Sequence, residues 1–147
     1  MHAADTSCVV LCHGQWSSLY DPLMLSISEG ILKGVGGDLD PASLHTTAFD
    51  HTLRSDGSSS KKQQSIEVVR FSFTTASSQP FSGYYEESRE LSYVVDYLEG
   101  KLKKKVQCIV GHSKAATVIC IYAAHHRCRL QPLGLVCISG RFDFSKL

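Results

Sequence analysis

Ser113 is the residue best placed to do chemistry, and its neighbours explain why. It lies in the run Val106-Gln-Cys-Ile-Val-Gly-His-Ser-Lys-Ala115, where an apolar stretch closes on G-x-S-x-A and passes straight into a helical pattern. A strand, a sharp turn and a helix around such a serine make a nucleophile elbow, suited to acyl transfer through a covalent intermediate. The turn forces the serine into a strained backbone conformation that lifts its Oγ above the sheet edge. The positions two before and two after it must be small, and here they are Gly111 and Ala115. The N-terminus of the following helix directs main-chain N–H groups and its positive dipole end toward the serine oxygen.

A second donor to a developing oxyanion should come from the end of another strand. Cys8-Val-Val-Leu-Cys-His13-Gly14-Gln15 has that form, an apolar run ending in His-Gly. The glycine allows the chain to turn, so that the amides of Gln15 and Lys114 are the expected oxyanion pair. Two preorganised donors in a dry site lower a barrier by about 3–4 kcal/mol each. The serine motif alone is equally compatible with an ordinary turn residue, and the His-Gly pair in the correct chain order favours the catalytic reading. His13 and His112 are more simply explained by local geometry than by proton transfer. A phosphate loop is excluded: G-x-x-x-x-G-K-[ST] needs glycine before the lysine, where Ser113 stands, and Ser or Thr after it, where Ala115 stands.

The elements that must position these residues follow from hydrophobic patterning. Cys8–Cys12, Ile66–Phe71, Val106–Val110 and Gly134–Ile138 are short continuous apolar or β-branched runs, the pattern of strands buried on both faces. Helical patterns separate them. Asp21-Pro22 offers an N-cap and a proline at the first helical position, with Met24, Ile27 and Ile31 on one face and Gly34 as a stop. A second helix runs from about residue 86, with Leu91, Val94, Val95, Leu98 and Leu102 on its apolar face. A third starts after Ser113 and is apolar nearly all round, which predicts a helix in the middle of the fold. Alternating strands and helices predict an α/β architecture: a mostly parallel sheet of about four strands flanked by helices. Residues 36–65, rich in glycine, serine, lysine and glutamine, read as a long surface insertion in a single domain spanning 1–147. His45 and His51, six residues apart within it, read as solvated loop histidines rather than as a metal site.

Composition sets outer bounds. The chain has 147 residues, 43% hydrophobic and 20% charged, with a formal net charge of +1, which gives no reason to expect a nucleic-acid or membrane-surface partner. The basic cluster Lys101–Lys105 sits where a helix should end and complements its dipole. The six cysteines form no C-x-x-C pair and lie mostly in apolar runs, as small buried hydrophobes do in a reducing compartment. No secretory signal or membrane span is visible, so a cytoplasmic location is expected. No metal or other cofactor is implied. A Rossmann-type nucleotide site is disfavoured, because Cys12-His-Gly-Gln-Trp16 stands where G-x-G-x-x-G would be required.

Four blocks taken together resemble a known family: Val9-Val-Leu-Cys-His-Gly14, Val69-Arg-Phe-Ser-Phe73, Val110-Gly-His-Ser-Lys114 and Ile138-Ser-Gly-Arg-Phe-Asp143. In this order they are similar to the serine aminopeptidase-like α/β-hydrolases, a group that includes plant esterase-like proteins. The start of the helix before the elbow, Gly83-Tyr-Tyr-Glu-Glu-Ser-Arg-Glu-Leu91, is similar as well. The resemblance implies a partial α/β-hydrolase fold, Ser113 as nucleophile, the Gln15 and Lys114 amides as oxyanion donors, and a small-molecule ester or amide substrate. Departures are Ser72 in place of the family's aspartate, a Thr74–Pro80 stretch without the glycine-rich turn, and Ala115-Ala116 in place of a Gly-Gly pair. The four strands would be the middle strands of a larger sheet. In this fold the triad runs Ser, then Asp or Glu, then His. No histidine follows His126, and Asp143 precedes the usual acid position and reads as a turn residue. This chain is therefore expected to be catalytically incomplete, and a non-catalytic binding or interaction module derived from the same scaffold is the alternative function.

Overall fold

The computed structural model describes residues 6–34, 53–54, 66–74, 82–125 and 133–140. Five strands and three helices follow one another as β1 (Ser7–Cys12), α1 (Pro22–Gly34), β2 (Leu53–Arg54), β3 (Ile66–Phe71), α2 (Tyr84–Gly100), β4 (Lys105–His112), α3 (Lys114–His125) and β5 (Gly134–Ile138). They build one sheet in the order β2-β3-β1-β4-β5. β1, β3, β4 and β5 are mutually parallel. The α/β class and the four parallel strands are those the apolar runs predict, and β3 and β5 have the predicted bounds.

Side-chain alternation on the central strands builds two cores. Cys8, Val10 and Cys12 of β1 pack with Leu91, Val95 and Leu98 of α2 and with Ala115, Val118, Ile119 and Tyr122 of α3. Leu11, from the other face of β1, packs with Met24 and Leu32 of α1, Val68 and Val110. Helices therefore cover both faces, which is why these strands carry no polar alternation. α3, apolar nearly all round, lies in the larger core as expected, with Ala115, Ala116, Val118 and Ile119 fully buried.

α1 begins where Asp21-Pro22 places it: Asp21 Oδ1 accepts the Leu23 N–H at 2.8 Å, and the Asp21 carbonyl accepts the Leu25 N–H at 3.0 Å. Its buried line is Met24, Ser28 and Leu32, with Ile27 and Ile31 partly buried beside it. Ser28 is tolerated there because its hydroxyl donates to the Met24 carbonyl at 2.7 Å. α2 ends at Gly100, so Leu102 lies beyond it and is exposed.

Three further expectations are corrected. β5 is not buried on both faces: Leu135 and Val136 are 37% and 45% exposed, because within the described sheet β5 has a strand on one side only. The cysteines are not uniformly buried; Cys8 and Cys12 are, Cys108 and Cys120 are half-buried, and Cys137 on β5 is exposed. The 36–65 insertion contributes β2, which pairs antiparallel with β3 through Leu53–Val68 and Arg54–Glu67. The rest of that insertion, with His45 and His51, lies outside the described residues, as do Asp143 and His126. Among the described residues no helix is long and apolar enough to cross a membrane.

The order of the parallel strands creates a switch point. From β1 the chain crosses to β3 on one side, then returns to the other side as β4. In open α/β sheets the crevice at the C-terminal ends of two such strands is where ligands bind. Here those ends carry His13-Gly14 and Ser113.

Candidate functional site

Ser113 is the single residue between β4 and α3, and its φ of 54° puts it in the left-handed region. For a residue with a Cβ this costs roughly 1–2 kcal/mol, a strain the surrounding contacts must hold. Two hydrogen bonds do so: the Ser113 N–H donates to the Ile138 carbonyl of β5 at 2.8 Å, and the Ser113 carbonyl accepts the Ala116 N–H at 3.1 Å.

Steric requirements on either side are severe. A Cβ on Gly111 would sit 2.6 Å from the Ala115 carbonyl oxygen and 2.9 Å from the Ala116 nitrogen, so main chain meets main chain at the turn. Ala115 itself is fully buried. A Cβ on Gly14 would lie 3.1 Å from the Ser113 Cβ and 3.2 Å from His112 Nδ1, so the end of β1 rests against the elbow. The structure thus brings Gly14 and Ser113 together, with their chain successors Gln15 and Lys114 at the same sheet edge. Trp16, at φ 61° and 70% exposed, continues the loop beyond Gln15.

His13 is buried and ties the end of β1 to the end of β3. Its Nε2 accepts the Phe73 N–H at 3.2 Å, so Nδ1 carries the proton and donates to the Gly14 carbonyl at 2.6 Å. Burial lowers its pKa below the ordinary histidine value, consistent with a neutral ring. With both nitrogens held by main chain, His13 is a brace rather than a proton carrier.

The loop from β1 to α1 is clamped at Leu19. Its N–H donates to Ser72 Oγ at 3.1 Å and its carbonyl accepts from Arg70 Nη1 at 3.0 Å. Ser72 thus holds the loop that carries Gln15. Arg70 is buried, and burial depresses its pKa.

Lys114 opens α3, yet its side chain is buried. Its Nζ reaches Glu87 Oε1, in the first turn of α2, at 2.5 Å and lies 5.1 Å from the centre of the Phe73 ring. The ion pair locks the N-terminal ends of α2 and α3 together directly behind the serine. Sequence reading does not find Glu87, Phe73 or Ile138 as parts of the site. The signal for Glu87 is present in principle: a lone lysine in a helix that is otherwise apolar all round requires a buried acidic partner.

Among the described residues no group of three or more histidine, cysteine, aspartate or glutamate side chains is placed to hold a metal ion. The arrangement can present a serine hydroxyl at the exposed end of a parallel sheet, beside a helix N-terminus and a glycine turn. No family model, curated protein or solved structure matches this chain.

Proposed function

We propose that Ser113 is the nucleophile of an ester- or amide-hydrolysing site of the α/β-hydrolase type. The observation that carries this reading is the left-handed serine at the end of β4, at the switch point, with Gly14 against it and α3 starting behind it. In this reading the serine oxygen attacks a substrate carbonyl, and the Gln15 and Lys114 amides receive the charge that develops on the carbonyl oxygen. Acyl transfer to water completes the cycle. His13 does not supply the general base, since main chain holds both of its ring nitrogens. Without a base the serine is a weak nucleophile at neutral pH.

A fluorophosphonate probe, applied to the product of the full transcript, tests this. Wild type should be labelled at least about a hundredfold faster than Ser113→Ala, with the adduct on Ser113. Equal labelling of the two ends the proposal. The non-catalytic binding module is the second reading, favoured by the engagement of His13 in bracing. A transcript carrying no histidine downstream of the elbow other than His125 and His126 would support it, and one encoding a later acid and histidine would oppose it.

A further inference from the structure

Two thiols outside the proposed hydrolytic site touch each other. Cys120 on α3 and Cys137 on β5 bring their Sγ atoms to 3.7 Å. Cys137 Sγ also lies 3.8 Å from the carbonyl oxygen of Ala116, one helical turn before Cys120, so this thiol is directed onto the face of α3. Both are open to reagents, Cys120 half-buried and Cys137 exposed. The core cysteines Cys8 and Cys12 are not, since both are fully buried; burial raises the pKa of the Cys120 thiol as well as theirs.

We propose that Cys120 and Cys137 form a reversible disulfide that staples α3 to β5. The oxidant is a low-molecular-weight disulfide of the glutathione class. The Cys137 thiolate attacks one of its sulfurs, forming a mixed disulfide and releasing one small thiol. Cys120 then loses its proton, attacks Cys137 Sγ and expels the second small thiol. The pair gives up two electrons and two protons, and the small disulfide leaves as two thiols. A bond of about 2.05 Å requires the sulfurs to approach by roughly 1.6 Å, which side-chain rotation can supply. The staple joins the two elements that meet at the elbow, because Ile138, next to Cys137, accepts the Ser113 N–H. It stands independently of the hydrolase reading.

The test equilibrates the protein in mixtures of reduced and oxidised glutathione, quenches with acid, alkylates the remaining thiols and digests with trypsin. Cleavage after Lys114, Arg127, Arg129 and Arg141 leaves Cys120 in Ala115–Arg127, Cys137 in Leu130–Arg141 and Cys128 on a dipeptide, so each pairing has its own mass. The expected product is the first two peptides joined to each other. The oxidised protein should melt about 5–10 °C above the reduced one. Cys137→Ser should remove both the cross-link and the shift while leaving the reduced melt within about 2 °C. Peptides recovered only alkylated or glutathionylated, or Cys128 taking either place, would overturn the proposal. Should Cys137→Ser not fold, Cys120→Ser and the wild-type peptide map decide it in the same way.

Discussion

Two lysine–glutamate ion pairs anchor this sheet, one at each end, and they are buried to different depths. Lys114–Glu87 lies behind the elbow at the C-terminal ends of the strands, with side chains 6% and 0% exposed. Lys104–Glu67 lies at the N-terminal ends, with side chains 14% and 1% exposed. Both acids are sealed in, but the lysines differ. Lys104 sits in the connection before β4, where its long stem can bring the ammonium to water. Lys114 is packed between Phe73 and Glu87 and is the more deeply buried of the two. The pair behind the serine joins two helices in the core, whereas the other closes a strand end nearer to water.

Glu87→Gln should produce the largest effect, a loss of about 3–5 kcal/mol in denaturant unfolding, because it removes the carboxylate charge that faces a buried cation. Combining it with Lys114→Met should recover part of that loss. Additive costs would mean that the pair is not coupled. Glu67→Gln should cost less, about 1–2 kcal/mol, as Lys104 turns outward. Equal losses at the two sites would erase the distinction drawn between them.

Acid should also act on the elbow end. His13 has a folded pKa below its unfolded value of 6.5, so below about that pH the unfolded chain binds the extra proton. Its stabilising contribution is fully present above that value and is lost as pH falls toward the folded pKa, by up to about 1.4 kcal/mol per pH unit. Melting curves at about pH 7.5 and about pH 5.5 should show this, and His13→Asn should flatten the difference. The smallest effect is expected at Ser113 itself. Glycine relieves the left-handed strain of roughly 1–2 kcal/mol but adds freedom to the unfolded chain worth about 0.4–1 kcal/mol. Ser113→Gly should therefore stabilise slightly, by about 0.5 kcal/mol, in the same unfolding assay.

Much of this architecture is legible in the sequence because burial on two faces leaves a simple trace. Ile66–Phe71 and Gly134–Ile138 are strands residue for residue, and Asp21-Pro22 marks the start of α1. The strand–turn–helix around Ser113 is legible for a steric reason, since only a small residue fits at Gly111. What is not legible depends on neighbours distant in the chain. The composition of β5 is that of a central strand, and nothing local says that it has a single partner in the described sheet. Glu87 and Glu67 look like ordinary helix and strand charges until the fold delivers a lysine to each. The short β2 inside the 36–65 insertion has no periodicity to announce it, being only Leu53–Arg54.

The close approach at Gly111 has a consequence for how this scaffold can vary. With peptide groups in direct contact there, the angle at which α3 departs from the sheet is dictated by atoms common to every polypeptide. Replacements farther along the helix, or in the loops around the crevice, can then reshape the surroundings of the hydroxyl while its own position stays put. Diversification at the rim is inexpensive so long as one hydrogen atom, the missing side chain at position 111, is retained.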